Sequence, residues 1–253
     1  MTPSQQARYI TRWIKNYAQE NKISTLVVGV SGGIDSAVVS TLCAKTGLST
    51  TAVSMPIRQS QATHELSQQH CEWLTNNYKN VTACTVDLTR TFRRFEKATT
   101  EFDNELAGAN SRSRLRMMCL YQIAQSQGGI VVGTGNRVED FGVGFFTKYG
   151  DGGVDISPIG DCMKTQVWAM GRTMGILDAI ITAAPTDGLW ADGRTDEQQL
   201  GMTYAELEQA MHLDQNNLPP ESDTHAQQLD RYREIRSKNL HKMTPVPVCE
   251  LPK

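Results

Sequence analysis

The stretch Thr25-Leu26-Val27-Val28-Gly29-Val30-Ser31-Gly32-Gly33-Ile34-Asp35-Ser36 decides the fold. Its first six residues form a short β-branched run with apolar side chains for both pleat faces, which predicts a strand buried on both sides in a parallel sheet. Ser31 to Ser36 interrupt it, Ala37 to Lys45 resume in helical style, and Gly47 supplies a stop. Strand, Gly-rich turn and helix in that order put free helix amides beyond the carboxyl end of a strand, where open parallel sheets bind ligands. Gly32 and Gly33 let backbone N–H groups approach a pyrophosphate with no Cβ in the way, and Ser31 and Ser36 add hydroxyl donors. Asp35 would repel phosphate unless a cation stood between them, so its presence points to Mg²⁺. The turn lacks the Lys-Ser/Thr pair of a Walker loop, and Gly-x-Gly-x-x-Gly is missing as well.

The flanking sequence alternates in the same way. Ile10, Trp13, Ile14 and Tyr17 recur at helical spacing and predict a helix over 5–20. Thr51 to Met55 reads as a second strand closed by Pro56, 61–79 as a helix, Val81 to Val86 as a third strand, 103–126 as a long helix and Ile130 to Gly133 as a fourth strand. Strands separated by helices imply right-handed crossovers and a doubly wound parallel sheet, Rossmann-like, with helices on both faces. Residues 134–163 then carry seven glycines and break the repeat. Loops of that length inside a compact domain are usually functional. Further helices are predicted over 164–174, over 204–211 behind a Thr203/Glu206 capping box, and over 224–239. Pro219 and Pro220 mark the link at 214–223, while Pro245, Pro247 and Pro252 make the tail extended. There is no internal repeat, and a single domain over 1–253 is expected.

Bulk composition narrows the class. Of 253 residues, 39% are hydrophobic and 21% charged, an ordinary globular balance. A net charge of -2 argues against a wide nucleic-acid surface. No apolar run reaches the ~18 residues of a membrane span, and the polar start does not resemble a signal peptide. The six cysteines are scattered without a Cys-x-x-Cys pair, as in a reducing compartment. A cytoplasmic protein is expected, binding neither membrane nor nucleic acid. His64, His70, His212 and His225 lack metal-ligand spacing and read as surface or packing residues. Arg90, Arg93 and Arg94 read as a solvated face.

Ser31 to Ser36 resemble the PP-loop of the N-type ATP pyrophosphatases, which cleave ATP between the α and β phosphates. Longer strings narrow the resemblance to the NAD synthetases. These are Gly133 to Asn136 with Glu139, Gly144 to Gly153 with Asp155 and Pro158, Lys164 to Trp168, Pro185 to Trp190, and His241-Lys242. They occur in the family's order from about residue 28 to 242. The resemblance implies an ATP site at Gly29, Val30, Ser31, Gly32, Gly33, Ile34, Asp35, Ser36, Thr134, Lys164 and Thr186. It implies Mg²⁺ ligands at Asp35 and Glu139. Contacts to deamido-NAD are implied at Lys148, Asp155, His241, Lys242 and one arginine of Arg112, Arg114 and Arg116. Arg114 is chosen, although two-residue spacing on a helix leaves the alignment of that cluster open.

The implied reaction joins deamido-NAD and ammonia at the cost of ATP, through an acyl-adenylate, giving NAD, AMP and pyrophosphate. Asp35, Lys164 and Asp155 are the implied catalytic residues. Lys164 would neutralise charge on the triphosphate, and Asp155 would either orient the substrate or accept a proton from ammonium. The chain's length is taken up by the synthetase, with no amidase signature, so free ammonia is the expected donor. The family also implies a homodimer whose interface helps build the deamido-NAD site. Two other readings stand beside this one: another PP-loop ligase, acting on xanthosine monophosphate or RNA, and a nucleotide-binding protein that has lost the chemistry.

Overall fold

Thr25–Gly29 form strand β1, Ser49–Ser54 β2, Val81–Thr85 β3 and Gly129–Val131 β4. The strands pair only in parallel, in the order β3-β2-β1-β4, with Thr25 opposite Ser49 on one side and Gly129 on the other. The chain therefore winds outward from β1 to β3 and crosses back to β4, which makes the β1/β4 boundary the switch point where such sheets bind ligands. The computed structural model describes residues 1–186, 188–190 and 193–251; Asp187 of the Pro185 to Trp190 string and Pro252 of the tail lie outside them.

Helices cover both faces, which explains why β1 has no polar side. Leu26 and Val28 pack among residues of α1 (Pro3–Glu20), α2 (Ile34–Lys45) and a later helix at Lys164–Met174. Val27, between them in sequence, faces the opposite layer with Met117, Leu120 and Ala124. Between β2 and β3 runs α3 (Gln61–Asn77), capped by Ser60. After β3 come α4 (Thr89–Ala98) and α5 (Glu105–Ser126), the latter capped by Asn104. A π-helical turn occupies Arg137–Val143, and α6 is the Lys164–Met174 helix. The chain continues through α7 (Asp178–Ile181), α8 (Asp196–Leu200), α9 (Tyr204–Asn216) and α10 (Asp223–Met243). These last elements close a separate apolar cluster against the π-turn, built from Val138, Val143, Tyr204, Leu207, Met211 and Tyr232.

Several elements differ from the sequence reading, α7 and α8 among those not anticipated, and three differences bear on the site or its reading. α2 starts at Ile34, so Asp35 and Ser36 lie in its first turn rather than in a loop. α4 was not anticipated: it buries only Phe92, too little for apolar periodicity to reveal, and Arg90 and Arg94 lie on its outer side. α9 runs to Asn216, where Asn217 takes a left-handed conformation (φ 51°) and ends it. Among the described residues, no helix is long and apolar enough to cross a membrane.

Candidate active site

The turn after β1 is organised by its own hydroxyls. Ser36 Oγ accepts from the Ser31 amide at 3.1 Å and donates to the Gly33 carbonyl at 2.9 Å, while Ser31 Oγ accepts from the Gly33 amide at 3.2 Å. Gly32 has φ +95°, and a Cβ there would meet the Thr63 carbonyl of α3 at 2.5 Å, so only glycine fits. Behind the turn, buried Ser67 donates to the Val30 carbonyl at 2.7 Å and to Ser54 Oγ at 2.9 Å. Buried His70 pairs through Nε2 with Ser40 Oγ at 3.0 Å, and Ser40 donates to the Ser36 carbonyl at 2.7 Å. The turn is thus fixed from below, with Ser31 exposed above it.

Asp35, in the first turn of α2, meets side chains from two other elements. Asn136, fully buried, caps the π-turn by accepting from the Val138 and Glu139 amides at 3.1 Å each, and its Nδ2 donates to Asp35 Oδ1 at 3.3 Å. Lys164, the first residue of α6 and 2% exposed, places Nζ 2.5 Å from Asp35 Oδ2 and 2.9 Å from Glu139 Oε1. Its ammonium also lies 4.8 Å from the Tyr204 ring centre. The Tyr204 hydroxyl hydrogen-bonds Glu139 Oε1 and, at 3.2 Å, Asp196 Oδ2. Burial pushes the Asp35 carboxyl above its ordinary range against the pull of Lys164. Glu139 is equally desolvated, yet Lys164 and the Tyr204 hydroxyl outweigh that and hold it below the usual carboxylate range. Lys164 itself is raised: burial disfavours its charge, but the two carboxylates more than compensate.

An open cleft of about 480 Å³ is lined by Arg114, Met117, Met118, Tyr121, Tyr149, Gly153 and Val154, so of the residues expected at deamido-NAD it takes in Arg114, with Lys148 and Asp155 next in sequence to its lining. Asp155 accepts from the Val131 amide at 2.7 Å and from the Tyr121 hydroxyl at 3.1 Å. Arg114 Nε donates to the Lys148 carbonyl at 3.1 Å, Lys148 Nζ to the His241 carbonyl at 3.1 Å, and Lys242 Nζ to the Phe146 carbonyl at 2.8 Å. Of the three arginines, only Arg114 lines the cleft. Arg112 grips the Leu189 carbonyl, and Arg116 is tied to the Met55 carbonyl at 3.0 Å and Gln59 Oε1 at 3.1 Å. Burial lowers the Arg116 guanidinium to about 10. Thr134 stands between Gly133 and Gly135 just past the Val132–Ile156 bridge. Thr186 shapes its own loop, accepting from the Gly188 amide and donating to the Arg194 carbonyl at 3.2 Å each.

Comparison with known proteins fits this geometry. The family model described as NAD synthase matches residues 6–246. The chain belongs to the NAD synthase family. Within it, an NH(3)-dependent NAD(+) synthetase from Mesoplasma florum is 39% identical over 79% of this chain and 81% of its own. One from Methanosarcina mazei is 34% identical over 96% of both chains. Among solved structures, an NMN synthetase from Francisella tularensis superposes with TM-score 0.88 at 31% identity, covering 99% of this chain and 100% of the other. An NH3-dependent NAD synthetase from Campylobacter jejuni shares the fold at TM-score 0.80 and 23% identity, covering 99% and 100%.

In this NAD synthase chain the residues expected at the nucleotide and metal split into two groups. Gly32, Gly33, Asp35, Glu139 and Lys164 come together, with Asn136 as their hinge; Thr186 lies in a separate loop, whose Pro185 carbonyl accepts from the Asp196 amide at 3.0 Å. Asp35 and Glu139 aim at a single cationic nitrogen, a donor set that suits Mg²⁺, which takes one or two carboxylates and completes its shell with water and phosphate oxygens. Among the described residues, no group of three His, Cys, Asp or Glu side chains is arranged to hold a metal by itself. Sequence reasoning missed Tyr204 and Asp196. Thr203 announced the helix, but nothing local links position 204 to Glu139, 65 residues away. Asn136 lay within a quoted string without a role; its N-cap position before the π-turn was the available signal.

Proposed function

We propose that this chain joins ammonia to the nicotinate carboxylate of deamido-NAD at the expense of ATP, releasing NAD, AMP and pyrophosphate. The observation that carries the reading is the meeting of Asp35, Glu139 and Lys164 beside the Gly32–Gly33 turn, at the switch point of the sheet. Family membership and the names of the relatives support it.

A carboxylate resists attack by ammonia because its carbonyl carbon is electron-rich and it offers no leaving group. One of its oxygens therefore attacks the α-phosphorus of ATP; the bond to the α–β bridging oxygen breaks and pyrophosphate departs. Ammonia then adds to the acyl carbon of the mixed anhydride, the C–O bond to AMP breaks, and nitrogen loses one proton to leave the amide. The chain needs no covalent nucleophile, only the capacity to hold two polyanions in line. The turn from Gly29 to Ser36 receives the phosphates, its shape held by the Ser31 and Ser36 hydroxyls, with Thr134 and Thr186 flanking the nucleotide. Lys164 contributes fixed positive charge near the triphosphate. Asp35 and Glu139 would hold Mg²⁺, which would supply positive charge to offset that developing on the leaving pyrophosphate. Arg114, Lys148, His241 and Lys242 face the acceptor. Asp155, with both oxygens already engaged, is better suited to orienting it than to taking a proton.

A second acceptor is favoured by one observation, the likeness to the Francisella tularensis NMN synthetase over the whole chain. On that reading the acceptor is nicotinate mononucleotide and the rest of the chemistry is unchanged. Purified protein with ATP, Mg²⁺ and ammonium is offered each acceptor separately. A higher kcat/KM with deamido-NAD supports the first reading, and a higher one with the mononucleotide supports the second. AMP release only with xanthosine monophosphate or a tRNA overturns both. Glutamine in place of ammonium is expected to give no turnover.

We also propose that two copies associate across the cleft. Leu106, Met118 and Tyr149 are large, apolar or aromatic and more than half exposed, and Met118 and Tyr149 line the proposed acceptor cleft. A partner covering them would complete the cleft's wall.

A further inference from the structure

We infer that Tyr204 is a positioning residue for the proposed metal site, fixing the carboxylate of Glu139 from the apolar cluster that closes against the π-turn. The inference rests on the proposed role of Glu139 as a metal ligand. Tyr204 is the first residue of α9, held there by the Thr203 capping box and by its own amide, which donates to Glu197 Oε1 at 3.1 Å. Its ring is 1% exposed and stands edge-on to Trp168, with centroids 5.7 Å apart. A phenol that deep must spend its one proton on a partner, and here the shorter contact is to Glu139 and the longer to Asp196.

The choice of oxygen matters. Lys164 and Tyr204 both reach Oε1 of Glu139. Two donors on one oxygen fix the rotation of the carboxylate, and ligation of a metal then falls to Oε2. Without the phenol, Lys164 would be the remaining donor on that oxygen, and its flexible stem allows several rotations. Hydrogen bonds of this kind, made to a ligand rather than to the metal, typically contribute 10–100-fold in metal affinity. Tyr204 also ties Glu139 to Asp196, which opens α8 and whose amide donates to the Pro185 carbonyl at 3.0 Å, so the carboxylate is referenced to a helix start that also holds the loop carrying Thr186.

The test uses the full chain saturated with an ATP analogue carrying a methylene bridge between its α and β phosphates, with Mn²⁺ titrated and followed by electron paramagnetic resonance. Tyr204→Phe keeps the ring, its packing and its contact with Lys164. It is expected to weaken Mn²⁺ binding by roughly 10–100-fold with an unchanged melting temperature, and to raise the Mg²⁺ requirement of turnover while kcat at saturating Mg²⁺ recovers. Glu139→Gln is the companion variant and is expected to weaken Mn²⁺ binding at least as much. If Glu139→Gln weakens binding and Tyr204→Phe does not, the positioning role is wrong and the metal site stands. If Glu139→Gln leaves Mn²⁺ affinity unchanged, both fall.

Discussion

Lys164 is the residue whose surroundings differ most from what its type alone suggests. A lysine beside a proposed phosphate-binding turn is expected to point at phosphate; here its ammonium is buried between Asp35 and Glu139, one cation shared by two carboxylates. Breaking a buried ion pair by removing one partner typically costs about 3–5 kcal/mol, because charge is left uncompensated. Lys164→Met leaves two carboxylates facing each other, so the variant should lose stability on that scale in urea unfolding. Added Mg²⁺ should return more stability to the variant than to the parent, since only the variant lacks an internal cation. Equal responses to Mg²⁺ would remove the two carboxylates from consideration as metal ligands. The string Lys164 to Trp168 pointed to this lysine, and Ser31 to Ser36 pointed to Asp35, but the ion pair spans 129 residues and no local pattern reports such a distance.

The elements make the turn rigid before any ligand arrives. Gly32 sits at φ +95° under the Thr63 carbonyl of α3, so Gly32→Ala meets both a backbone conformation that side chains disfavour and a wall of main chain. The expected cost is about 1–3 kcal/mol, read as a lower urea midpoint, with ATP affinity falling at least tenfold because the Gly33 amide moves. Gly33→Ala should be far milder: its φ is -86° and an added Cβ meets only Ser31 Oγ at 3.4 Å. His70 joins α3 to α2 through Ser40, and burial lowers its imidazole from 6.5 to about 4. A depressed histidine is neutral in the fold and prefers its proton when unfolded. Its contribution is therefore present above pH 6.5 and is lost as pH falls toward 4, a span worth about 3 kcal/mol. Urea midpoints measured from pH 7.5 to 4.5 should fall less steeply for His70→Gln than for the parent. Strands and long helices were legible because β1 and α5 carry enough apolar residues to set a period. The start of α2 was misplaced because Ser31 to Ser36 look like loop by composition while their backbone turns helical at Ile34, and α4 escaped because its sole buried side chain is Phe92.

For the whole molecule, the proposed acceptor cleft is a part of the surface that the single chain leaves open. If a second copy covers Met118 and Tyr149, Met118→Glu should shift the protein from dimer to monomer in sedimentation velocity. The KM for the acceptor should rise more than tenfold and ATP affinity should stay unchanged, since the nucleotide turn lies in the opposite layer. A monomeric parent enzyme with normal acceptor KM would refute the arrangement. Composition could not flag this surface: Leu106 and Met118 are apolar residues of the helix predicted over 103–126, and only the fold reveals that their side chains face out. Chain order carries one more consequence. The charged cluster draws on positions 35, 136, 139, 164 and 204, so every long connection must close before its last member, the opening residue of α9, is seated. Contacts so far apart in sequence form late. During synthesis the sheet is complete once β4 has emerged, yet the proposed metal site is not complete until α9 has left the ribosome and docked. In a refolding time course, Mn²⁺ uptake should therefore trail the recovery of helical circular dichroism and mark the final step of assembly.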